Sequence, residues 1–120
     1  MSTEYIILLH DNEVAWQEAT PGKRAETYGR HTEFARRCAE DGHIMTGGAE
    51  LRPSTTAKIL RGGSVGMTDG PYTETAEQLG GFYLVETDDL EALAKLVNEL
   101  LADTTGPAEI RATLRPGEGS

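Results

Sequence analysis

The chain has 120 residues and a formal net charge of −9, with 20 Asp and Glu against 11 Lys and Arg. That length suits one domain, read here as residues 1–115, able to bury its own core. The acidic balance gives no footprint for nucleic acid or an anionic membrane, no apolar run nears the roughly 20 residues of a membrane helix, and the single cysteine, Cys38, excludes an intrachain disulfide and suits a reducing, cytoplasmic setting.

Tyr5 to Leu9 is a short apolar run rich in isoleucine and leucine, which reads as a strand buried on both faces. Asn12 to Gly22 reads as a polar connection containing Trp16. Lys23 to Asp41 is helical, with Tyr28, His31, Ala35, Cys38 and Ala39 on one face and Phe34 at its margin. Glu33 and Arg37 stand at the spacing of a helical ion pair, and Gly42 is a stop signal. His43 to Leu51 is a weaker strand interrupted by Gly47 and Gly48. Thr56–Leu60 and Ser64–Thr68 flank Arg61-Gly62-Gly63 as a hairpin, and Asp69-Gly70-Pro71-Tyr72 is a turn. Thr73 to Leu79 is polar, with room for one helical turn.

Gly81 to Thr87 is a strand with Phe82 and Leu84 on one face and Tyr83 and Val85 on the other. Asp88 reads as the N-cap of a helix, with Glu91 three residues on. That helix runs to about Leu101 on the stripe Leu90, Leu93, Ala94, Val97, Leu100, Leu101. Gly106-Pro107 closes it, and Ala108 to Arg115 alternates as a half-buried strand. The tail 116–120 is expected to be disordered.

This order suits an α+β, ferredoxin-like plan: an antiparallel sheet with two helices on one face. Two helices cover one face, yet Ile6, Leu8, Phe82 and Leu84 alternate with Ile7, Leu9, Tyr83 and Val85, so both faces are apolar. A second copy covers such a face most simply, so a homodimer is expected.

The run from Met67 to Tyr83, with Thr68-Asp69-Gly70-Pro71-Tyr72, the acids Glu74 and Glu77, and Gly80-Gly81-Phe82-Tyr83, resembles the signature of the YCII-related (DGPF) family. Tyr5–Leu9 resembles that family's opening strand and Gly47–Pro53 its glycine-glutamate-leucine-proline segment. Tyr72 stands where phenylalanine is usual, and Ala76 where lysine is common. The resemblance implies a dimeric α+β barrel with a cleft. A dehydrochlorinase acting on a chlorinated hydroxyquinol is among the enzymes it resembles, and some members accompany alternative sigma factors. It also implies a histidine in the first helix paired with an aspartate.

His31 fits that description, since it sits on the apolar helix face, where an imidazole can move a proton near neutral pH. The same ring could instead be a core histidine bonded to a backbone carbonyl. Glu40 and Asp41 lie too far along the helix to reach it. Asp69 is therefore the expected partner, with Tyr72, Glu74 and Glu50 as substrate-binding candidates. His10, Asp11, His31 and His43 could ligate a metal, but no pair has ligand spacing, so no metal or cofactor is expected. Two functions stand open. One is an acid–base enzyme of the lyase or dehydrochlorinase kind on a small organic compound, such as an aromatic one. The other is a noncatalytic small-molecule-binding or sigma-factor-associated module.

Overall fold

Residues 2–64, 66–102 and 104–115 are described by a computed structural model. The expected tail at 116–120 lies outside them. The opening strand, β1 (Thr3–Asn12), is longer than its apolar run. Asn12 then caps a six-residue helix, α1 (Glu13–Glu18), by accepting from the backbone N–H of Ala15 at 3.0 Å. The connection expected to be a loop is thus partly helical. The next helix, α2 (Pro21–Glu40), begins at a proline in its first turn, with the Thr20 hydroxyl accepting from the Lys23 N–H at 3.1 Å. Proline suits this place because the first-turn N–H groups have no helical partner. β2 (Ile44–Glu50) follows.

A 3₁₀ turn at Ser54–Thr56 leads into a small ribbon of β3 (Lys58–Ile59) and β4 (Thr68–Asp69). The expected hairpin is present, but its paired part is only two residues long on each side. Gly62 and Gly63, at φ 83° and 70°, turn the loop through the left-handed region that glycine tolerates. β5 (Glu77–Thr87) starts within the segment given room for a helical turn. α3 (Leu90–Leu100) and β6 (Ala108–Ala112) complete the chain. The α3 cap is Asp89 rather than Asp88: its carboxylate accepts from the Ala92 N–H at 3.0 Å. The strand runs on to Thr87, whose hydroxyl takes the Asp89 N–H at 3.0 Å, so the cap falls one residue later.

The main sheet has the order β2-β5-β1-β6 with every neighbour antiparallel. This is the ferredoxin-like arrangement. Ile7 and Val85 point at the helices and are fully buried with Phe34, Cys38, Leu93, Leu96, Val97 and Leu100. The α2 stripe is narrower than its sequence suggests: Phe34 and Cys38 are buried, while Ala35 and Ala39 are exposed. Phe34 fills the space that two short alanines cannot reach. In α3, Leu96 is buried and Leu90 is 41% exposed, so the stripe is likewise rotated. Glu33 pairs with Arg36, and Arg37 instead reaches Glu99 of α3. On the other sheet face Ile6, Leu8, Phe82 and Leu84 stay half-buried, so β1 is not buried on both sides within one chain. No helix among the described residues is long and apolar enough to cross a membrane.

Candidate functional site

Tyr83 lies opposite Ile7 in the sheet and so points toward α2. There it meets Phe34, at 5.3 Å between ring centroids, and His31 one turn earlier. The His31 Nδ1 and the Tyr83 hydroxyl are 2.7 Å apart. Two proton arrangements satisfy this contact: the phenol donates to Nδ1, or Nδ1–H donates to the phenol oxygen. Burial raises the Tyr83 pKa, so the phenol keeps its proton near neutrality.

Tyr28 lies one turn before His31 and donates its hydroxyl to the Glu50 carboxylate, at 3.0 and 3.2 Å to its two oxygens. Burial and this bond together raise the Tyr28 pKa. Trp16 of α1 packs edge-on to Tyr28 at 5.5 Å. Arg24 fixes Trp16 from the far side: its guanidinium stacks 5.4 Å from the indole and donates to the Trp16 carbonyl at 3.0 Å and the Gln17 carbonyl at 2.9 Å. Glu13 holds the opposite end of α1, accepting from the Ser54 N–H and hydroxyl, both at 2.6 Å. A helix of six residues is unstable alone, so these ties are what place Trp16.

These groups wall an open cleft of about 740 Å³ between α1, the first half of α2 and the ends of β1, β2 and β5. That volume is in the range of roughly 300–1,000 Å³ typical of small-molecule sites. Its walls include Trp16, Tyr28, His31, Glu50, Arg52, Phe82 and Tyr83. Two glycines shape the β2–β5 wall. A Cβ on Gly48 would lie 2.7 Å from the Phe82 carbonyl oxygen, and one on Gly81 would lie 2.9 Å from that of Ala49. Gln78 also lines the cleft, and its amide donates to the Thr73 and Thr75 carbonyls at 2.8 and 3.0 Å, bracing the signature loop.

Of the residues singled out in the sequence, His31 and Glu50 meet in this cleft. Asp69, Tyr72 and Glu74 are exposed and lie outside its walls. Asp69 pairs with Lys58 across the ribbon at 2.6 Å, which holds its carboxyl below the usual carboxylate range. Tyr72 lies under the Arg61 guanidinium at 5.9 Å. Sequence reasoning missed Tyr83 as a site residue, although its inward place on β5 faces the same side as His31. Among the described residues, no group of three or more His, Cys, Asp or Glu is placed to hold a metal ion.

Burial is the main influence on His31, and it disfavours the imidazolium, so the ring's pKa falls below the ordinary histidine value. The Glu50 carboxylate works the other way. The unfolded chain takes up this proton near pH about 6.5; the folded chain does so only at lower pH. Between those points the unfolded state binds more protons. The stability due to this ring is therefore complete above the unfolded value and is lost as pH falls through the folded one. A proton NMR titration should place the His31 midpoint below that of a histidine in a short peptide, and Glu50→Gln should lower it further. A midpoint at or above the peptide value would contradict the assignment of burial as the main cause.

A family model described as YCII-related domain matches residues 3–113. Over 76 residues the chain is 40% identical to an uncharacterized protein of Rhizobium meliloti (strain 1021), covering 58% of this chain and 61% of that protein. The match therefore spans less than two thirds of the relative's length.

Proposed function

The chain belongs to the YCII-related domain family, and on that premise we propose that it binds a small organic compound in the cleft and moves a proton on it, with His31 as the acid or base. The observation that carries this reading is the 2.7 Å contact of His31 with Tyr83 at the wall of a cleft of about 740 Å³. With Nδ1–H donated to the phenol oxygen, the free Nε2 of the neutral imidazole can accept a proton from a substrate, and the imidazolium so formed keeps its bond to Tyr83 and returns the Nε2 proton to the product. Glu50, held by Tyr28, supplies a negative charge that favours the imidazolium as it forms. Trp16 and Tyr28 offer ring faces and edges, which suits a flat, aromatic compound. The apolar outer face with Ile6, Leu8, Phe82 and Leu84 supports a homodimer as the working form.

A thermal-shift screen of small phenols, aromatic acids and their halogenated forms, followed by turnover assays on the hits, tests the reading. A true substrate should raise the melting temperature and be converted. His31→Asn should then cut turnover by about 10²–10⁴-fold, the usual contribution of a positioned acid or base, with Tyr83→Phe intermediate. Compounds that bind in the cleft and are never converted would sink the enzyme reading and leave a noncatalytic binding module.

A further inference from the structure

The β3–β4 ribbon is the part of the fold that packs on least. Its two strands pair with each other and not with the main sheet. Leu60, Met67 and Tyr72 along it are 70, 66 and 76% exposed. A two-residue ribbon has little stability of its own, and three large apolar side chains in water add nothing to it. Its root, in contrast, is fixed. The Gly70 N–H donates to the Ala57 carbonyl at 2.9 Å, the Ala57 N–H to that of Ser54 at 3.0 Å, and Ser54 is held by Glu13. Pro53, just before this root, is itself a wall of the cleft. The ribbon therefore starts at the cleft rim and leaves it.

We infer that the ribbon of one copy closes over the cleft of a second copy of this chain, bringing Asp69 and Tyr72 to its mouth. The inference rests on the cleft being the functional site. Three observations choose a second copy as the occupant. Charge is complementary: in a chain of net charge −9, the ribbon carries Lys58 and Arg61 against Asp69, while the cleft walls carry Asp11, Glu13 and Glu50 against Arg52. Apolar surface is complementary as well, since Leu60, Met67 and Tyr72 would meet a cleft walled by Trp16 and Tyr28. Finally, the thinnest extent of the chain is 17 Å, one sheet and one helix layer, and Ile6, Leu8, Phe82 and Leu84 face outward from it half-buried. A two-fold axis facing two such sheets would bury these side chains, and the exchange of ribbons closes on itself because one chain supplies both surfaces.

Single-cysteine chains test this without any ligand. In a Cys38→Ser background, one chain carries Gln17→Cys at the cleft mouth and a second carries Met67→Cys in the ribbon; both positions are exposed. After subunit exchange and treatment with a short bismaleimide, a covalent mixed dimer is expected on a denaturing gel. A chain carrying both substitutions should also crosslink between copies. Sedimentation showing only monomer would overturn the inference. So would a double variant that links only within one chain, or a dimer in which the mixed link never forms. Loss of the crosslink with cleft ligands still bound would sink the ribbon's role alone. A crosslink formed in a protein that binds no compound would sink the cleft reading alone.

Discussion

Leu93→Ala should destabilise the chain by about 3–4 kcal/mol, from the usual range of about 2–5 kcal/mol for a buried leucine. Leu93 has no exposed surface and sits on α3 against the sheet, in a cluster with Ile7, Val85, Phe34 and Val97. Removing its three outer carbons leaves a cavity that these neighbours can only partly fill. Against a total stability of about 5–15 kcal/mol this is a large fraction. For a domain of this size it amounts to a fall in Tm of roughly 10–20 °C. Urea titration at fixed protein concentration should show a lower midpoint with an unchanged slope. Leu90→Ala is the control: Leu90 lies on the same helix but is 41% exposed, and it should cost well under half as much. Equal losses at the two positions would mean that the core is not where the structure puts it.

Gly106→Ala should be comparably damaging for a different reason. A Cβ there would lie 2.0 Å from the His10 carbonyl oxygen, 2.5 Å from its carbon and 2.9 Å from the Asp11 Cα. All three are backbone atoms, and they cannot yield by a side-chain rotation. The His10 N–H donates to the Pro107 carbonyl at 3.0 Å, and the Asp11 carboxylate takes the Asn12 N–H at 2.8 Å while also accepting from the Thr105 hydroxyl. Relief of the clash has to part β1 from the entry to β6. A cost of about 3 kcal/mol is expected, at the upper end of ordinary overpacking. Because His10 and Asp11 line the cleft, ligand binding should weaken too. Gly29→Ala provides the contrast. Gly29 is inside α2 with nothing within 4 Å of an added Cβ, so alanine there should stabilise by about 0.5–1 kcal/mol. Thermal melts of the two variants should move in opposite directions.

The elements legible in the sequence are those whose signal is local. The apolar run of β1, the alternation of β5 and the stripe of α3 each show themselves within a dozen residues, and their order alone leads to the ferredoxin-like sheet. Helix phase was less legible, because Ala35 and Ala39 count as apolar but are too short to join the core that Phe34 reaches. α1 was not legible at all. It has no buried residue, and its supports, Arg24 to Trp16 and Glu13 to Ser54, span 8 and 41 positions.

The site divides in the same way. His31 could be placed on the inner helix face from spacing. Its contact with Tyr83 spans 52 positions, and the contact of Tyr28 with Glu50 spans 22. Neither distance leaves a local pattern. Asp69 was drawn toward His31 by its place at a strand end, but the ribbon's register sets it opposite Lys58.

Cys38 gives the chain a chemical clock. The thiol is 1% exposed, and burial pushes its pKa up to about 11. Near pH 7 only about one such thiol in ten thousand is ionised, and an alkylating reagent attacks the thiolate. Cys38 should therefore stay silent toward iodoacetamide or maleimide while α2 remains docked, and react at an ordinary rate once the helix lifts. It is the only cysteine in the chain, so the rate at which label accumulates measures how often the native packing opens, with no engineered probe.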